Sequence, residues 1–166
     1  MKHIRYFFEF IFIIIIFFIF KIIGYKNASN LGKMIGEKIG PIFRSNVKIQ
    51  NNLEISDVGN SEEDRKFIIN NMWGNYGRIL SEYIFLKKFR KNKLNQFIEI
   101  EGSNYLNDIK KNHEQVVFIS GHFNNFELMA MEIEKSGINL CAIYRPLNNP
   151  FLNIIMEGIR KNYICK

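Results

Sequence analysis

Cysteine is scarce in this chain, with two in 166 residues. Cys141 and Cys165 form neither a CxxC pair nor a metal-ligand spacing, which excludes a disulfide framework. With no Cys/His cluster either, no metal site is expected. Two reduced thiols suit a cytosolic location for most of the chain. Alanine is rare beside abundant Ile, Asn and Lys. We read that skew as codon bias, so Lys-rich stretches carry less functional meaning than usual. Acidic residues number 16 against 23 Lys and Arg, a formal net charge of +7. A basic surface favours an anionic partner, and nucleic acid, anionic lipid and an acidic carrier protein all qualify. G-x-S-x-G, the P-loop, the dinucleotide fingerprint and any internal repeat are also missing, so no cofactor is expected. No nucleic-acid-binding motif accompanies the charge, so nucleic acid is not an expected partner. His3 and His113 have no partner nearby in the sequence and read as surface residues.

Apolar surface, by contrast, is plentiful: 47% of residues are hydrophobic and 14% aromatic, which rules out a disordered chain. Phe10 to Phe20 is unbroken Phe and Ile, and from Tyr6 to Ile23 only Glu9 and Lys21 interrupt the run. As a helix that stretch is roughly 27 Å long, close to the hydrocarbon thickness of a bilayer. Glu9 and Lys21 lie near its ends, within reach of headgroups, and Tyr6 and Tyr25 flank it as interfacial aromatics. Asn27-Ala28-Ser29 is a poor cleavage site, which argues against a signal peptide. Residues 1–25 are therefore expected to form a membrane span or anchor, and 26–166 part of a domain. Lys2 and Arg5 precede the run, whereas Lys21, Lys26, Lys33 and Lys38 follow it, so the C-terminal side is expected to face the cytoplasm.

Beyond the anchor, Leu31, Ile35 and Ile39 recur every four residues, predicting a short amphipathic helix that Gly40-Pro41 ends. The stretch from Val47 to Ile55 is ambiguous. Ser61-x-x-Asp64 reads as a capping box before a long helix whose face carries Met72, Tyr76, Ile79, Leu80 and Tyr83. Phe97 to Glu101 alternates like a strand, and Tyr105 to Lys111 reads as a short helix. Val116 to Ser120 reads as a buried strand, Phe126 to Ile133 as a helix stopped by Gly137, and Ile138 to Tyr144 as the next strand. Strand, loop, helix and strand imply a right-handed parallel crossover, hence an α/β fold of which one crossover is only a part. Chemistry in such sheets collects at the C-terminal ends of strands, where His122 would sit.

The string Gly121-His122-Phe123-Asn124-Asn125-Phe126-Glu127 is the candidate site. Two residues five apart on one regular helix point about 140° apart, so His122 and Glu127 can pair only if His122 stays in the loop. Gly121 would give the freedom for that tight turn. His122 would then act as general base on an acceptor hydroxyl, with Glu127 orienting its ring and stabilising the imidazolium.

These residues carry a resemblance. Ser120 to Leu128, SGHFNNFEL, closely resembles the first motif of the bacterial lipid A biosynthesis acyltransferases, which carry His-x4-Glu or His-x4-Asp in a Ser-Gly-His-Phe-Gly-Asn-Trp-Glu setting. Asn124 replaces the usual Gly and Phe126 the usual Trp. Asn tolerates the left-handed backbone better than most residues, and Phe keeps the aromatic bulk. Tyr144-Arg145-Pro146-Leu147-Asn148-Asn149-Pro150 looks like the family's Tyr-Arg-Pro-x-Asn-Asn-Pro block. Met72 to Arg78, with Ser81-Glu82-Tyr83 behind it, is similar to the family's upstream helical segment, and the apolar N-terminus matches too. The resemblance implies a glycerolipid-acyltransferase-like α/β domain, truncated here, on an inner-membrane enzyme that faces the cytoplasm. Such an enzyme would move a fatty acyl chain from acyl carrier protein to a hydroxyl of an anionic lipid A precursor. Its catalytic pair falls on His122 and Glu127. Arg145 would bind an acceptor phosphate or carboxylate, and Asn125 and Asn148 would hydrogen-bond near the site. The alternatives are a glycerolipid acyltransferase, which usually carries Asp where Glu127 stands, and an inactive membrane-anchored remnant.

Overall fold

The computed structural model describes residues 2–43, 46–59 and 61–165. Eight α-helices account for most of them: α1 (Lys2–Ile23), α2 (Tyr25–Phe43), α3 (Asn46–Ile55), α4 (Glu62–Glu82), α5 (Leu86–Arg90), α6 (Ser103–Asn112), α7 (Phe126–Lys135) and α8 (Pro150–Tyr163). They fall into two compact units, one of residues 19–83 and one of residues 1–18 with 84–166. Helix α1 is apolar and long enough to cross a membrane.

The unit of residues 19–83 is built on α2 packed along α4. Small residues set this contact. A Cβ added at Gly32 would collide with the backbone of Gly77, one at Gly36 with the backbone of Trp73, and one at Gly40 with the Trp73 ring. The packing stripe is thus Ala28, Gly32, Gly36 and Gly40, at four-residue spacing. Leu31 and Ile35 lie beside it, and Ile39 is 42% exposed. The expected stop at Gly40-Pro41 is not observed, because α2 continues through Pro41 to Phe43. So near the helix end, proline removes only the donor to the Glu37 carbonyl. Gly24 makes the break between α1 and α2, at φ 80°.

The segment 46–55, ambiguous in sequence, is helical. Helix α4 begins as expected: Ser61 accepts from the Asp64 amide at 3.0 Å, and the Asp64 carboxylate accepts from the Ser61 amide at 3.1 Å. Its far end joins α2 through buried polar groups. Ser29 donates to Glu82 at 2.7 Å, and Arg78 donates to Ser29 at 2.8 Å. Burial and the Glu82 carboxylate push the Tyr25 phenol up to about 12.

In the other unit, Leu86 and Phe89 of α5 are fully buried and α5 packs against both α7 and α8. Arg90 of α5 pairs with Glu134 of α7. Met131 and Ile133 complete the buried side of α7, and Gly137 follows it at φ 90°, as its pattern predicts. Helix α6 covers the expected 105–111 segment.

The α/β expectation finds no sheet among the described residues, which are helical with irregular connections. Residues 98–101, 116–120 and 138–144 are unpaired, and Val117, Ile119 and Ile143 are 88%, 93% and 104% exposed. A strand needs a neighbour to take its N–H and C=O groups, and these segments pair with none among the described residues.

Candidate active site

The first motif folds into an irregular loop followed by a helix. Residues 121–125 carry the chain into α7, whose first turn holds Glu127. The left-handed residue of this loop is Asn124, at φ 47°. Asn accepts that conformation at the position where the resembling motif has Gly. Gly121 serves a different purpose from the turn freedom expected of it: an added Cβ there would run into the Phe123 ring.

His122 is exposed, and its ring stacks edge-on against Phe126 at a centroid distance of 4.3 Å. Glu127 is 5% exposed and accepts two hydrogen bonds from Arg160 of α8 on Oε1, from Nε at 2.9 Å and Nη2 at 2.6 Å. No hydrogen bond joins His122 to Glu127 among the described residues. The loop placement of His122 is as expected, while the carboxylate is committed to a guanidinium.

Arg160 also reaches the second motif. Its guanidinium carbon lies 5.0 Å from the centre of the Tyr144 ring. The Tyr144 hydroxyl donates to Glu157 at 2.8 Å, and that bond raises its pKa. The 144–150 block is tied to α8 at further points. The Leu147 amide donates to Asn153 at 2.8 Å, and Asn149 caps the helix by accepting from the Phe151 and Leu152 amides at 3.1 and 3.4 Å. Pro150 stands at the helix start, where its missing N–H costs nothing.

The structure therefore brings Glu127 and Tyr144 together through Arg160. Arg145 and Asn148 are exposed on the block, and Asn125 stands at the N-cap of α7 with no capping hydrogen bond from its side chain. Sequence reasoning missed Arg160, Asn149 and helix α8 itself. Asn149-Pro150 was an available signal for the helix start, but nothing local marks Arg160. Cys141 and Cys165 are both free thiols, and no group of His, Cys, Asp and Glu able to hold a metal occurs among the described residues.

Comparison with known proteins places the chain among the acyltransferases. More particularly, it belongs to the family of bacterial lipid A biosynthesis acyltransferases, whose model matches residues 1–165. It is 21% identical over 135 residues to the lipid A biosynthesis myristoyltransferase of Escherichia coli (strain K12). That match covers 81% of this chain and 41% of the relative's length. No solved structure matches.

Proposed function

We propose that the protein transfers a fatty acyl chain from acyl carrier protein to a hydroxyl of a lipid A precursor at the cytoplasmic face of the inner membrane, with His122 as general base. The observation that supports this best is the placement of His122. It is a solvent-facing imidazole in a loop immediately before a helix whose first turn carries a buried carboxylate. An acceptor hydroxyl approaching the loop gives its proton to His122 and attacks the thioester carbonyl. The thiol of the carrier leaves, and the proton on His122 returns to it. Glu127 is the acidic partner, and Arg160 balances its charge in the burial site. Arg145 offers a planar cation for an acceptor phosphate or carboxylate, with Asn125 and Asn148 beside the site. Residues 1–25 hold the site at the bilayer, where such an acceptor resides.

The test is acyl transfer in membranes holding the protein, supplied with labelled lipid A precursor and acyl carrier thioester. His122→Ala is expected to lower the rate by about 100-fold or more, the usual contribution of a general base. Transfer indifferent to His122 would remove it from the mechanism. Transfer to a glycerolipid acceptor instead would change the substrate class.

A further inference from the structure

The stretch from Ile84 to Ile98 holds five cations and no acid: Lys87, Lys88, Arg90, Lys91 and Lys93. Codon bias can supply lysines, but the fold decides where they stand. Leu86 and Phe89 are fully buried and Leu94 is 9% exposed, so the apolar residues of α5 and its following turn face inward. Lys87, Lys88, Lys91 and Lys93 are left exposed. None of the four forms an ion pair among the described residues, whereas Arg90 is paired with Glu134 and Lys135 with Glu132.

The backbone under these lysines is fixed. Asn92 closes the turn after α5 at φ 56°, its amide donating to the Phe89 carbonyl at 2.9 Å and the Lys93 amide donating to the Lys88 carbonyl at 2.9 Å. Lys135 donates to the Asn92 side-chain oxygen at 2.8 Å, which fastens the turn to the last turn of α7. Lys110 of α6, also exposed and from a separate stretch of chain, reaches the same helix end and donates to the Ser136 carbonyl at 3.2 Å. The exposed lysines thus gather at the C-terminal end of α7, the helix whose first turn carries Glu127. Lys135 and Glu127 are eight residues apart on it, roughly 12 Å along its axis.

We infer that this lysine surface is where the acidic carrier protein docks, so that its thioester reaches the His122 loop along α7. This rests on the transfer from acyl carrier protein proposed above. Ammonium groups that no carboxylate of this chain occupies are open to carboxylates of a partner, and such pairing speeds encounter and sets orientation. A carrier holds its acyl chain as a thioester on a flexible arm, so docking one helix length from His122 leaves the loop clear for the acceptor. A bilayer is the other anionic surface to weigh. A segment that beds among headgroups turns an apolar face outward, and here Leu86, Phe89 and Leu94 turn inward.

The experiment measures binding of the whole protein, in detergent, to fluorescently labelled acyl carrier protein by anisotropy at low salt. Lys87→Glu combined with Lys91→Glu is expected to raise the Kd about 10-fold or more. Lys26→Glu combined with Lys38→Glu makes the same change in net charge on α2 and is expected to leave the Kd near that of the parent. In the transfer assay the first pair should raise KM for the carrier thioester and spare kcat, because neither lysine touches the reacting atoms. No carrier binding by the parent, binding indifferent to Lys87 and Lys91, or equal weakening by both pairs would overturn the inference. Unchanged carrier binding with weakened binding to vesicles of anionic phospholipid would also overturn it and make the patch a headgroup surface. Carrier binding that depends on Lys87 and Lys91 without any acyl transfer would uphold the docking surface and remove the proposed reaction instead.

Discussion

Arg160 is the residue that joins the two halves of the candidate site. Its side chain is 25% exposed and that of Glu127 is 6% exposed, so the pair is shielded from most of the solvent that would weaken it. Arg160→Met is expected to leave a buried carboxylate without its cation and to cost about 3 kcal/mol, read as a lowered melting temperature in detergent. Arg160→Lys should recover only part of this, because a point charge cannot reproduce two bonds to Oε1 together with stacking on Tyr144. If both variants melt with the parent protein, the pair is not structural. At this scale the loop position of His122 was legible, because Gly121-His122 follows an apolar run and precedes an amphipathic one. The partner of Glu127 was not, because it comes from 33 residues further along the chain.

Helix α2 was legible from apolar residues at four-residue spacing, but the side that packs on α4 is the glycine stripe next to them. Glycine adds little area, and what it offers is close approach of two backbones. Gly77→Ala is expected to destabilise the 19–83 unit by about 1–3 kcal/mol, since the added Cβ would meet the Gly32 carbonyl and neither backbone can yield cheaply. Thermal unfolding followed by circular dichroism measures this, and an unchanged melt would mean that the two helices can move apart. The same helix pair carries a pH dependence. The Tyr25 phenol has a folded pKa of about 12 against an ordinary 10.0. Above pH ~10 the unfolded chain releases this proton while the folded chain retains it, so stability is full below that pH and falls as pH rises through both values. With Tyr25 only half-buried, the loss is about 1–2 kcal/mol. Tyr25→Phe should remove the alkaline slope, and a slope that persists would assign it to another group.

For the whole molecule, the chain covers 41% of the length of the myristoyltransferase it matches, and its apolar segments at 116–120 and 138–144 join no sheet among the described residues. Helices close their hydrogen bonds within one stretch of chain, whereas a strand depends on another stretch to pair with. Among the described residues the helical parts of the expected architecture therefore appear, and the crossover's strands do not. Amide hydrogen exchange should separate the two: fast exchange over 116–120, and strong protection in the centres of α2 and α4. Protection of 116–120 would reveal a pairing partner.

Sequence by itself determined the apolar N-terminal helix, the capping box at Ser61, the helices over 105–111 and 126–133, and the His-x4-Glu string with its Tyr-Arg-Pro companion. Each of these is local, written in the spacing of neighbouring residues or in a turn that one residue type permits. Tertiary structure alone decided which face of α2 packs, that Glu127 is held by Arg160, and that Asn149 bonds to the Tyr6 carbonyl and Phe151 packs on Phe7. The hydrogen bonds among these join residues 33 and 143 positions apart, and short-range periodicity carries no record of which distant surfaces meet.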